Sequence, residues 1–265
     1  MTRRLLVAVA LLLACTAAIN ARQAKVKTLV AVFAHPDDEG TVSPVLARYA
    51  RDGVQVHLII ATDGAAGGQQ TTVPVGPELA RTRAEEARCA AEALGLQAPI
   101  LLGFPDGKLG SHAEDPIRLF KITARLHEEL QRLQPDALIT WGPDGGTGHP
   151  DHRLVSALVT QLVRSGAPGV PERLFYVTLP AEAIRAVNPA RPVPPLLIPD
   201  ARLLTTKIAV SPADFAAARR SLGCHKTQFP PDAMARLAEA ANVMWPGAVP
   251  LAPAFASASK DDLFR

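Results

Sequence analysis

The sequence predicts an α/β fold of the Rossmann-like, doubly wound type: a mostly parallel sheet with helices on both faces. Three observations carry this. From residue 28 onward, short β-branched runs alternate with longer helical patterns. Glycines close predicted helices directly before strands, at Asp52-Gly53 and Leu94-Gly95, where a left-handed C-terminal residue is wanted. A chain of 265 residues that is 48% hydrophobic and 20% charged can bury a substantial core in one domain.

In chain order, a strand over 28–33 is followed by a helix over 42–52, a strand over 54–62 and a helix over 78–94. A strand over 100–102, a helix over 116–133, a strand over 137–141 and a helix over 151–164 continue the alternation. After residue 175 the pattern weakens. The proline-rich stretch 187–199 reads as an extended connection, 203–210 as a late strand and 213–225 as a helix. The sequence thus divides into a signal segment (1–21), one domain (28–228) and a C-terminal extension (229–265) without a strong pattern or an assigned role.

Arg3 and Arg4 followed by the apolar run 5–14 have the form of a secretory signal peptide, too short to span a bilayer, and predict export. Cys15 after Leu12-Leu13-Ala14 resembles a lipoprotein box, and lipid on Cys15 is the one route to membrane contact; ordinary cleavage after Ala21 stands as the alternative. Without the first 21 residues, 26 basic groups face 25 acidic ones, a balance that gives a nucleic-acid partner no support. Cys89 and Cys224 lack the close spacing of a thiolate metal site; core packing is the expectation, with a disulfide left open for an oxidising compartment.

Two polar clusters carry the chemistry. The first strand runs into Ala34-His35-Pro36-Asp37-Asp38-Glu39-Gly40, an imidazole and three carboxylates at the edge where open α/β sheets bind ligands. Unpaired charge at a buried strand end is costly, so packing alone does not account for it. The strand over 137–141 leads into Gly145-Gly146-Thr147-Gly148-His149-Pro150-Asp151-His152, where glycines allow close approach. If the two strands are neighbours, both loops face one crevice. Two imidazoles, a carboxylate and one open position then suit a zinc ion that activates water, and the remaining acids and bases suit amide hydrolysis.

Together the motifs Ala34-His-Pro-Asp-Asp-Glu39 and His149-Pro-Asp-His152 resemble the PIG-L and LmbE-like zinc N-acetylglucosaminyl deacetylase family. Thr62-Asp63-Gly64, Arg83-Ala84-Glu85-Glu86, Leu102-Gly103-Phe104-Pro105-Asp106-Gly107 and His225-Lys226-Thr227-Gln228 extend the likeness over about residues 28–228. The resemblance implies that His35, Asp38 and His152 bind Zn2+, that Asp37 is the general base, and that His149 stabilises the oxyanion and protonates the leaving amine with Asp151 orienting it. It also places Arg83 and Asp106 against the substrate, a small N-acetylated sugar or glycoconjugate.

The same donors accept Fe2+ or another divalent ion. An amidase for a different acyl-amine, such as a thiol conjugate or an envelope fragment, and a non-catalytic sugar-binding relative are the other readings. His225, His57, His112 and His127 are read as structural or solvent-facing. The glycines after Asp63 lack a phosphate-loop ending and argue against nucleotide binding.

Overall fold

Among the described residues seven strands form one sheet in the order β3-β2-β1-β4-β5-β7-β6. They are β1 (Thr28–Phe33), β2 (Gln55–Thr62), β3 (Ile100–Phe104), β4 (Ala137–Trp141), β5 (Leu174–Val177), β6 (Thr206–Ala209) and β7 (Ala248–Pro253). β1 to β5 run parallel, whereas β7 is antiparallel to both β5 and β6. The computed structural model describes residues 26–111, 113–179, 185, 200–245, 247–255 and 260–264. The predicted signal segment with Cys15, His112 and the proline-rich stretch 187–199 lie outside these residues.

Among the described residues six helices cover the sheet: α1 (Ser43–Arg51), α2 (Pro77–Leu94), α3 (Arg118–Leu133), α4 (Pro150–Arg164), α5 (Pro212–Leu222) and α6 (Pro231–Met244). Every residue of β1 is buried, and its alternation divides the core into two layers. Leu29, Ala31 and Phe33 pack with Val45, Leu46 and Tyr49 of α1 and with Ala87 and Leu94 of α2. Val30 and Val32 pack with Ile122 and Leu126 of α3 and with Val155 and Val159 of α4. This two-sided burial is what a parallel sheet requires, because its crossover helices must lie on its faces.

The winding sets the site. The chain steps from β1 to β2 and β3 on one side, then returns to place β4 beside β1, with Leu29, Val30 and Ala31 opposite Ala137, Leu138 and Ile139. The order of strands therefore reverses between β1 and β4, and the loops leaving their carboxyl ends diverge around a crevice. At that edge Thr62 Oγ1 donates to Ala34 O and Thr140 Oγ1 to Val32 O, so neighbouring strands pin the end of β1 just before the first motif.

Most of the expected elements form within a few residues of their predicted limits. The differences lie near the C-terminus, where the stretch after residue 229 is not an appendage. It supplies α6 and then β7, which inserts between β5 and β6. Pro250 and Pro253 in β7 obscure a strand signal because proline cannot donate to a ladder. α5 begins with a capping box, Ser211 with Asp214, and ends at Leu222 instead of residue 225, which releases 223–228 to turn toward the site. Cys89 of α2 and Cys224 after α5 do meet: their Cα atoms are 5.8 Å apart and the sulfurs are bonded, where separate core packing was expected.

Candidate metal and catalytic site

The loops after β1 and β4 converge as the strand order demands. His35, Asp38 and His152 are 7%, 7% and 6% exposed. His35 Nδ1 lies 3.0 Å from His152 Nε2, and His152 Nε2 lies 3.2 Å from Asp38 Oδ1. His35 Nδ1 is 3.6 Å from Asp38 Oδ2. Donors about 2.0–2.1 Å from one tetrahedral ion stand about 3.3 Å apart.

The partners of each ring indicate which nitrogen faces the ion. His152 Nδ1 donates to Gly145 O at 2.9 Å, leaving Nε2 with its lone pair. His35 Nε2 lies 3.0 Å from Asp106 Oδ1 and 3.5 Å from Asp151 Oδ2, two carboxylates that favour a proton there and leave Nδ1 bare. These contacts lie off the line of the N–H bond, so they act as electrostatic supports more than as directed hydrogen bonds. Asp38 Oδ2 accepts from the amides of Ala34 and His35 and from Trp141 Nε1 at 3.0, 2.9 and 3.1 Å. With the protons on those outer nitrogens, two imidazole lone pairs and a carboxylate face one point, the arrangement a cation needs; without one, burial would lower His35 but Asp106, Asp151 and Asp38 raise it, so a proton on Nδ1 can bridge it to His152 instead. The residues fit a divalent metal ion.

Trp141 supports this cluster from below. Its ring stacks on His152 at 4.5 Å with 5° between the planes while its Nε1 holds Asp38. Gly146 has a φ of 63°, and a Cβ there would collide with the Trp141 ring, so only glycine lets the loop cross this indole. Trp141→Phe keeps the stack and removes the donor to Asp38. Its metal affinity is expected to fall about tenfold with little loss of fold, measured by competition with a chelating dye; unchanged affinity would show that the indole hydrogen bond does not support the ligand.

Asp37 occupies a left-handed conformation, φ 103°, rare for a residue with a side chain and costing about 1–3 kcal/mol. Its backbone amide donates to Glu39 Oε2 at 3.0 Å and its Oδ1 lies 3.1 Å from Arg83 Nη2. Burial pushes its carboxyl up to about 6, against the pull of the Arg83 guanidinium and with the charge of Asp38 adding to the rise. A carboxylate so tuned is ionised near neutrality yet basic enough to take a proton from water. Asp38 differs: burial alone would raise it, but the charges and hydrogen bonds of His152 and His35 hold it well below the ordinary range.

His149 caps α4, its Nδ1 accepting from the Asp151 amide at 3.2 Å. In the neutral ring Nε2 then carries the proton. Burial lowers its pKa below the ordinary value, which favours the neutral ring as an N–H donor near pH 7. Its ring centroid lies 4.7 Å from that of His35 and 4.9 Å from that of His152.

Three sequence expectations need correction. The Asp151 carboxylate does not hold His149: it accepts from the amides of Gly107 and Leu109 at 2.8 and 3.3 Å and flanks His35, leaving only its backbone for His149. Arg83 does not face a substrate. It is 3% exposed, and its guanidinium donates to Gly64 O at 3.1 Å and to Pro36 O while pairing with Asp37. Asp106, also expected to line the pocket, turns inward to His35 and accepts from the Ala66 amide at 3.0 Å. Each side chain meets a buried partner that sequence separation concealed.

Glu39 and His225 were not recognised as a pair. Both are fully buried, with His225 Nε2 2.5 Å from Glu39 Oε1. Burial would lower His225, but Glu39 raises it above its ordinary value. Nearby, Thr227 donates to Glu86 through its amide and hydroxyl at 2.8 and 2.6 Å, and Gln228 Nε2 reaches Gly67 O at 2.9 Å.

A doubly wound sheet with this donor set at the switch point defines a class of α/β proteins built to hold a divalent cation beside an unligated acid and imidazole. The chain belongs to the PIG-L family, described as GlcNAc-PI de-N-acetylase, whose sequence profile matches residues 30–163. It is 32% identical over 188 residues to a 1D-myo-inositol 2-acetamido-2-deoxy-alpha-D-glucopyranoside deacetylase of Rhodococcus jostii, the match covering 60% of this chain and 64% of the relative. The enzyme of the same description from Actinosynnema mirum is 31% identical over 230 residues, 76% of this chain and 80% of the relative.

Among solved structures, N,N'-diacetylchitobiose deacetylase from Pyrococcus horikoshii shares the fold with a TM-score of 0.64 at 18% identity, over 86% of this chain and 84% of that one. A 4-carboxy-2-hydroxymuconate hydratase from Pseudomonas putida matches with the same TM-score at 17% identity, over 89% and 99%. The fold therefore serves more than one reaction, and the side chains must decide.

Proposed function

We propose that the protein is a metal-dependent N-deacetylase that hydrolyses the acetamide of an N-acetylated amino sugar or glycoconjugate, with zinc as its ion. One observation carries this reading: His35 Nδ1, His152 Nε2 and the Asp38 carboxylate converge within 3.0–3.6 Å, with a ring nitrogen of His149 within 4.8 Å of those of His35 and His152. The family and the deacetylase relatives support the substrate class.

His35, Asp38 and His152 would hold a divalent ion, which would supply the Lewis acidity that acidifies water and polarises a carbonyl. The remaining chemistry falls to the chain's own groups. Asp37 takes the proton from the attacking water, and Arg83 keeps its carboxylate oriented. The neutral His149 donates its Nε2–H to the oxyanion of the tetrahedral intermediate, a role its capping bond prepares by occupying Nδ1. The sequence assigns the protonation of the departing amine to His149; in the reading proposed here the proton that Asp37 has taken returns to that amine, so one carboxyl serves as base and then as acid. Asp106 and Asp151 hold His35 in its ligating tautomer.

Export through the N-terminal segment is part of this proposal. The bond between Cys89 and Cys224 supports it, since structural disulfides belong to oxidising compartments.

Acetate release from a panel of N-acetylated sugars and envelope fragments, with protein of measured metal content, tests the reading. Turnover is expected on at least one N-acetyl sugar, to fall about 100-fold or more on chelation and to return with Zn2+. Release confined to acyl-amines without a sugar would replace the substrate; hydration without acetate release would replace the reaction.

A further inference from the structure

The strained turn that carries Asp37 is braced from the far end of the domain. Glu39 has two oxygens and two buried duties: Oε2 accepts the Asp37 amide at 3.0 Å, and Oε1 meets His225 Nε2 at 2.5 Å. Helix capping accounts for the first contact but not for the second. A carboxylate that only capped the turn Asp38–Thr41 could keep its other oxygen in water, yet Glu39 and His225 are both 0% exposed.

The segment bearing His225 is itself anchored. Cys224 is bonded to Cys89 of α2, Thr227 is held by Glu86 and Gln228 reaches the loop at Gly67. Leu222, at the end of α5, packs so closely on the turn that a Cβ on Gly40 would fall 2.6 Å from its Cδ2. Three covalent or hydrogen-bonded anchors thus immobilise the imidazole that fixes Glu39, and Glu39 fixes the amide of the residue in the unfavourable conformation.

We propose that Glu39, backed by His225, is a positioning residue that holds Asp37 in its left-handed turn and thereby aims the base at the attacking water. The inference depends on Asp37 being the base. Reach, and not charge, is the property that matters: the acceptor must extend to the Asp37 amide.

Two variants separate these properties. Glu39→Gln keeps the reach and a carbonyl acceptor but loses the charge; Glu39→Asp keeps the charge and withdraws the acceptor by one methylene. Expected for Glu39→Asp is a fall in kcat of about 30- to 100-fold with KM and bound metal near those of the parent, while Glu39→Gln retains most of kcat. The reverse order, equal losses, or two variants as active as the parent overturn the proposal. His225→Gln tests the brace from its other end: a fall in kcat of about tenfold at unchanged KM and metal content supports it, and parental kcat overturns it. Asp37→Asn serves as the control. If Asp37→Asn is inactive while Glu39→Asp is normal, the brace alone fails; if Asp37→Asn turns over like the parent, the assignment of the base fails first.

Discussion

His152→Ala is expected to lose the metal, whereas Asp37→Asn keeps it and loses turnover. His152 offers a bare Nε2 to the site and stacks on Trp141, so truncation removes one of three protein donors and leaves the Asp38 carboxylate buried without its partner. Metal affinity should fall about 100- to 1,000-fold, given that a structural ion's binding energy is shared among its ligands. The carboxylate of Asp37 is held by Arg83. Asparagine preserves its volume and its bond to the guanidinium's neighbourhood but cannot take a proton. The expected loss in kcat is about 10²–10⁴-fold, or about 3–5 kcal/mol in the barrier. Metal analysis after dialysis, paired with acetate release, checks both. Equal metal loss in the two variants would contradict this division of roles.

The double variant Cys89→Ser/Cys224→Ser is expected to unfold at a temperature lower by about 10 °C. The bond spans a sequence separation of 135, for which chain entropy gives an upper value of about 5 kcal/mol, and measured contributions commonly run to about 2–4 kcal/mol. For a domain of this size each kcal/mol moves the midpoint by about 2–4 °C. Thermal unfolding with and without a reductant measures it: the parent should fall to the level of the variant on reduction. The variant should also lose activity below its own midpoint, because Cys224 adjoins His225 and reduction frees the segment that fixes Glu39. A midpoint unmoved by reduction would show that packing of α5 on α2 holds the segment unaided.

The legibility of this protein follows physical range. Helices and strands from 28 to 164 are governed by local periodicity and by glycines at helix ends, so their positions could be read along the chain. β7 could not, because its two prolines contradict a strand locally and its place between β5 and β6 depends on ladder partners elsewhere. The same holds in the site. His35, Asp38 and His152 lie in two short motifs whose polarity at strand ends marks them. Glu39 lies in the first motif too, but its partner is 186 residues away, and nothing near either residue indicates the other.

By itself the sequence determined the alternation of strands and helices through β4, the two polar loops at strand ends, and the residue types able to grip a cation and move a proton. Only the tertiary structure decided what each charge meets. It turned Arg83 and Asp106 from the substrate toward Asp37 and His35, turned the Asp151 carboxylate from His149 toward His35, joined Cys89 to Cys224 and set His225 behind Glu39. The physical reason is that a buried charge must find its partner in space. Motifs record which charges are brought to the site, and packing between distant elements selects their partners.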